Sequence, residues 1–169
     1  MAAHYRLSAA LATGRLSLWR SLWVTLCVMM VTGPAVAETL KGRAHVDDGD
    51  SLTIGERRIR LFGVDAFEYR QMCGRMKCGK LAFQQLRQIV GQQPVSCVKQ
   101  DTDPYGRLVA VCKLPDGRDL GREMVRGGYA VAYRRYSMRY VADEGLAKKL
   151  RAGAWAHGFR RPSDYRRSH

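Results

Sequence analysis

Residues 38–169 predict an α+β domain that is mainly β, a small five-stranded barrel with about three helices. Three observations carry this. Short runs with strand character come as a group of three and then a group of two, each group broken by turn residues. A stretch with one apolar face at helical spacing separates the groups. Two further helical stretches, each with a start signal, follow the last strand.

The residues before this domain have a different character. Residues 1–37 carry Arg6, Arg15 and Arg20 and no acid, then an apolar run from Leu22 to Val31 and a small-x-small sequence ending at Ala37. That run is shorter than the roughly 20 residues of a membrane span. The pattern predicts a secretory leader cut after Ala37, with an uncleaved anchor as the alternative. Removing it leaves 26 basic against 15 acidic residues, a net charge of +11. Such a charge attracts polyanions, of which nucleic acid is the commonest, and excludes nothing about chemistry.

Within the domain, "TLKGRAHVDD" reads as a first strand, "SLTIG" as a second and "ERRIRLFGV" as a third, with Gly55-Glu56 as the hairpin connection. "KCGKLAFQQLRQIVG" reads as a helix whose Ala82, Leu86, Ile89 and Val90 share a face and which Gly91 stops. "PVSCVKQ" and "RLVAVCKL" are strands joined by the Pro-Tyr-Gly turn of "DTDPYG". "DLGREMVRGG" is a helix capped by Asp119 and ended by Gly127-Gly128. "SMRYVADEGLAKKLRAG" is another, capped by Ser137, with Glu144 and Lys148 at pairing distance and Gly145 weakening its middle. Five short strands with an inserted helix fit a Greek-key barrel of the OB type.

Without the leader, four cysteines remain: Cys73, Cys78, Cys97 and Cys112. Four in an exported chain suggest disulfides, with three possible pairings. Cys97 and Cys112 fall on neighbouring antiparallel strands, which favours Cys97–Cys112 and therefore Cys73–Cys78. The spacing lacks the paired pattern of a zinc ribbon, the competing reading.

The acids are concentrated in residues 46–68, "VDDGDSLTIGERRIRLFGVDAFE". Asp48 and Asp50 are two apart and point the same way on extended chain. Pairing of the second and third strands through Gly55 would bring Asp50 to Asp65, with Glu68 three residues on. Oxygen ligands of this kind suit a hard cation such as Ca²⁺, although the spacing is not that of an EF-hand. A plain acidic turn explains Asp48-Gly49-Asp50 equally well. Arg60, inside an apolar strand, is either a surface residue or a buried charge that needs a partner. With Arg107 it would complete a phosphodiester site: a cation, two guanidinium groups for phosphate, and a spare carboxylate as base.

"VDDGDSL", "IRLFGVDAFE", "DPYGRLVAV" and "DLGREMVRGGYAVAY", in this order, resemble the staphylococcal-nuclease (thermonuclease) family over about residues 40–156. The cysteine spacing and the tail "GAWAHGFRRPSDYRR" resemble exported bacterial members. The resemblance implies an OB barrel with three helices and a calcium-dependent nuclease of DNA and RNA. It assigns Asp50, Asp65 and the Ala66 carbonyl to calcium, and Asp48 to the metal's waters. Glu68 becomes the base or water-positioning carboxylate, and Arg60 and Arg107 bind phosphate and offset transition-state charge. Tyr105 and Tyr133 contact the nucleotide. The implied protein is a periplasmic or extracellular monomer without stable membrane association once the leader is gone.

Three departures stand out. Ala66-Phe67 precedes Glu68 where the family has Thr-Pro or Ala-Pro, so the loop lacks proline's fixed φ. Pro104 stands where a basic residue is common, and Gly121 where Asn is common. A Cys73–Cys78 bridge would firm the Glu68 loop in proline's place. Two other readings stay open: a nucleic-acid-binding OB module without catalysis, and an envelope-interacting protein acting through "FRRPSDYRRSH". "AYRRYSMRY" either stacks bases or packs Tyr136 and Tyr140 under the last helix.

Overall fold

A computed structural model of the protein describes residues 38–168; the expected leader lies outside them. The elements are β1 (Thr39–Asp48), β2 (Ser51–Ile54), β3 (Arg57–Leu61), β4 (Val64–Ala66), α1 (Cys78–Val90), β5 (Pro94–Thr102), β6 (Leu108–Lys113), α2 (Leu120–Arg126), β7 (Ala130–Ala132), α3 (Val141–Lys149), a 3₁₀ turn (Gly153–Ala156) and α4 (Pro162–Arg167).

Five strands close into a barrel in the order β1-β2-β3-β6-β5. Closure depends on the length of β1. Its first half, Thr39–Arg43, pairs with β5, while Ala44 onward pairs with β2, so one strand serves two neighbours. The β2–β3 hairpin has the expected register through Gly55-Glu56, with Ser51 opposite Arg60 and Ile54 opposite Arg57. β3 runs parallel to β6, and the other barrel pairs are antiparallel.

The third strand is not continuous to Val64 as the apolar run predicts. Gly63 takes φ +72°, a conformation that disfavours side chains, and the chain turns at Phe62-Gly63. Beyond the turn, β4 leaves the barrel and pairs with β7 in a separate two-stranded sheet. The turn lifts Asp65 off the barrel wall, and the next residue, Ala66, bonds to Asp50 just before the start of β2.

α1 lies against β1 and buries Ala82, Leu86 and Val90, one residue per helical turn, with Ile89 half-buried at its edge. Both disulfides form as the sequence favours. Cys97 stands directly opposite Cys112 across β5 and β6, and Cys73 is bonded to Cys78, the first residue of α1. Asp119 caps α2 by accepting the Arg122 N–H at 3.1 Å.

The start of α3 differs from expectation. Ser137 does not cap it; its hydroxyl accepts the Arg139 N–H, and the helix begins only at Val141. The reason is Tyr140, which is sunk in the main core and donates its hydroxyl to Asp119 at 2.8 Å. Burial beside that carboxylate pushes the Tyr140 phenol well above its ordinary range. Glu144 makes no exposed pair with Lys148. It is 4% exposed and is met instead by Arg134, by Arg161 at 3.2 Å and by the Ala132 N–H at 3.3 Å. α4 has no counterpart among the expected helices.

Gly121 is explained by the same tyrosine. A side chain there would begin 2.8 Å from the Tyr140 hydroxyl and 2.9 Å from its ring. Gly121→Asn is therefore expected to destabilise this protein, by about 1–3 kcal/mol through overpacking. Urea unfolding would show it as a lower midpoint at unchanged slope.

Candidate active site

The acids converge because of backbone pairing. Asp50 sits in the turn before β2, and its carbonyl accepts the Leu61 N–H at 2.8 Å, which fixes it to the end of β3. Arg60, one residue earlier on β3, reaches Asp50 Oδ2 at 3.0 Å and Asp65 Oδ1 at 3.6 Å. Asp50 Oδ2 also accepts the Ala66 N–H at 3.3 Å. Asp50, Arg60, Asp65 and Ala66 are thus one cluster, and Arg60 is a largely buried charge with partners rather than a surface residue.

Asp48 is half-buried at the rim of the cluster and accepts the Gly49 N–H at 2.7 Å. Burial, reinforced by Asp50 and Glu68, raises its pKa. Asp65 is 1% exposed. Burial raises its pKa too, and the guanidinium groups of Arg166 and Arg60 partly offset the shift.

Glu68 follows β4 on a loop held from several sides. Its N–H donates to Gln71 Oε1 at 3.2 Å, and its carbonyl accepts the Gln71 N–H at 2.6 Å. α1 begins so close beneath it that a Cβ on Gly79 would lie 1.7 Å from the Glu68 carbonyl oxygen. Only glycine fits there, so the packing of α1 determines the height of the loop.

Arg107 directly precedes β6, the strand paired with the Arg60 strand β3. Asp103 Oδ2 accepts its Nε–H at 2.7 Å, and Asp103 Oδ1 accepts the backbone N–H groups of Tyr105 and Arg107, both at 3.0 Å. The guanidinium lies over the Tyr105 ring, 5.6 Å from its centroid. These arginine bonds hold the Asp103 carboxyl below the usual range despite some burial.

Asp48, Asp50, Arg60, Glu68 and Arg107 line one cavity of about 440 Å³. Tyr133 and Tyr136 also line it, with ring centroids 4.9 Å apart, and Tyr105 stands 85% exposed at its mouth. The stretch 132–140 therefore divides: Tyr136 faces the cavity and Tyr140 packs the core. Every residue expected to meet metal, phosphate or nucleotide lines this cavity except Asp65, which pairs with two residues that do, Arg60 and Arg166.

Sequence reasoning misses Arg166. From α4 it donates to Asp65 Oδ1 at 2.8 Å and to Glu68 Oε1 at 2.7 Å, and it lines the same cavity. These two carboxylates raise its pKa further above the ordinary arginine value. The paired arginines of the tail are the available signal, but no spacing rule ties a residue to one 101 positions away. Asp103, too, reads in the sequence only as part of a turn.

Among the described residues, no three His, Cys, Asp or Glu side chains are gathered tightly enough to hold an ion by themselves. The donors present are nevertheless those of a hard cation: carboxylates and backbone carbonyls, with water able to fill the remaining positions. Formal charge agrees. Asp48, Asp50, Asp65 and Glu68 face Arg60 and Arg166, while Arg107 is matched by Asp103. Two negative charges are left over, the complement of a divalent ion.

A family model described as staphylococcal nuclease homologue matches residues 58–157. The chain is 32% identical over 144 residues to the succinoglycan biosynthesis protein ExoI of Rhizobium meliloti, covering 80% of this chain and 75% of that one. It is 27% identical over 141 residues to an uncharacterised endonuclease of Escherichia coli, covering 79% and 89%. It is 28% identical over 144 residues to a probable endonuclease, lcl3, of Botryotinia fuckeliana, covering 75% and 54%.

Arg60→Ala would leave two buried carboxylates short of a partner. The expected cost is about 1–3 kcal/mol of stability without added metal, read from thermal or urea unfolding.

Proposed function

Because the chain belongs to the staphylococcal nuclease homologue family, we propose that it is an exported, calcium-dependent nuclease that hydrolyses phosphodiester bonds of DNA and RNA. One observation carries the reading: Asp50, Glu68, Arg60 and Arg107 line a single cavity bordered by tyrosines, with Asp65 paired to Arg60. Two of the relatives above are named as endonucleases. Another is named for succinoglycan biosynthesis. Chemistry on sugar linkages relies on a pair of carboxyl groups, one of them a proton donor. Arginines set among the acids instead serve an anionic substrate.

Asp50, Asp65 and the Ala66 carbonyl would hold calcium, with Asp48 orienting its waters; when bound, the ion supplies Lewis-acid stabilisation of a phosphate oxygen. The chain's own residues do the rest. Arg60 on β3 and Arg107 just before the neighbouring β6 would donate to the non-bridging oxygens, where charge grows as the nucleophile attacks. Asp103 holds Arg107 by Nε, which aims the terminal nitrogens. Glu68, at the cavity edge, orients the attacking water and takes its proton. Tyr105 and Tyr133 offer faces on which bases stack. The net charge of +11 on residues 38–169 draws the polyanion in. Export is supported by the two disulfides and the leader pattern of residues 1–37.

The alternative is an OB module that binds nucleic acid without cutting it. The observation that favours it is the Arg166 guanidinium on Asp65 and Glu68.

The purified protein is expected to cut single- and double-stranded DNA and RNA in calcium, and to stop in excess chelator. Glu68→Gln and Arg107→Ala should each lose about 10²–10³-fold in turnover while keeping the fold. Nucleic acid that is retarded but left uncut by the wild type would decide for the binding module.

A further inference from the structure

Glu68 stands on a loop that lacks proline's restraint, and running from Phe67 to Lys77 it has only one isolated bridge, Cys73 to Met76, as regular structure. The C-terminal segment meets this loop at three levels. At the ring of Phe67, Phe159 packs edge-on at 4.9 Å, with Trp155 behind it at 4.7 Å. At the backbone, Gln71, buried, accepts the Glu68 N–H and donates Nε2–H to the Arg160 carbonyl at 2.8 Å. At the carboxylate itself, Arg166 donates to Glu68 and, through its other terminal nitrogen, to Asp65. The segment is secured in turn: Pro162 is buried and Arg161 is bonded to Glu144.

From this convergence we infer that the C-terminal segment is a working part of the site and that Arg166 is a positioning residue, setting the Glu68 carboxylate at a fixed distance from Asp65. The inference rests on Glu68 as the water-orienting carboxylate. Planar geometry makes arginine suited to the task. One guanidinium presents two N–H groups in a rigid fork and can span two carboxylates, whereas a lysine ammonium is a single point of charge. Charge-assisted bonds at these distances are strong enough to select one rotamer of Glu68. The family match ends at residue 157, so Arg166 lies beyond the stretch it covers.

The test compares wild type, Arg166→Ala and Arg166→Lys in three measurements: turnover on single-stranded DNA, calcium affinity by calorimetry without nucleic acid, and thermal unfolding. Arg166→Ala should lose about 10–100-fold in kcat with little change in KM, the usual effect of removing an outer partner. Arg166→Lys should recover part of the loss. Calcium affinity of Arg166→Ala should hold or rise, because a positive charge beside Asp65 has been removed. Slower turnover with undiminished calcium binding is a combination that general loosening does not give. Three results would overturn the proposal: cutting at the wild-type rate or faster, joint loss of calcium binding and thermal stability, or a kcat for Arg166→Lys no better than for Arg166→Ala. Wild-type protein that cuts nothing would fell the nuclease reading and this proposal together, whereas unaffected cutting by Arg166→Ala fells this proposal alone.

Discussion

Several carboxylates can be kept together in a folded protein only where positive charge is set among them, because each buried anion without a partner carries a heavy desolvation cost. Here that constraint organises much of the molecule. Arg60 must come from inside β3, facing Asp50 and Asp65, so the β2–β3 register cannot slip by a residue without turning the guanidinium to the other face. The break at Gly63 must come immediately after, or Asp65 would continue along the barrel wall. The β4–β7 sheet and α4 then enclose the other side. Fold and site are joined by the same few hydrogen bonds.

The second organising feature is the small core of Phe67, Cys73, Cys78, Val131 and Ala154, with Trp155 and Phe159 packed against it. It is separate from the barrel's own core and lies under the Glu68 loop. Its presence gives Phe67 a purpose. Proline would restrict φ locally, whereas a buried aromatic restrains the loop through what it packs against. Both limit how far Glu68 can wander, one through the backbone and one through tertiary contacts. The disulfide to the first residue of α1 acts on the same loop from its far end.

How much of the structure is legible in the sequence depends on the range of the interactions. The hairpin, the apolar face of α1, the Asp119 cap and the meeting of Asp50 with Asp65 all arise from near neighbours or from one strand pairing, and all are legible. Cross-strand placement of Cys97 and Cys112 is legible for the same reason. Legibility fails where a distant residue overrides a local preference. Ser137 is a good cap by type, yet Tyr140 is drawn into the core and the helix starts after it. Glu144 and Lys148 have ideal spacing, but Arg134 and Arg161 claim the glutamate. β7 is three residues long and exists because β4 needs a partner. Arg166 looks like one basic residue among many in a charged tail, and nothing nearby marks it as different.

The distance along the chain between Arg166 and the residues it touches also gives the molecule a direction in time. A ribosome delivers the barrel strands, Arg60, Arg107 and all four carboxylates before it delivers α4. A nascent or prematurely ended chain that stops after α3 would hold the acids and Arg60 but lack the second guanidinium among them. Its Glu68 carboxylate would lack the fork that ties it to Asp65. The last piece of the site to be synthesised is thus the one that sets Glu68 against Asp65, so the arrangement is completed only once α4 has been made.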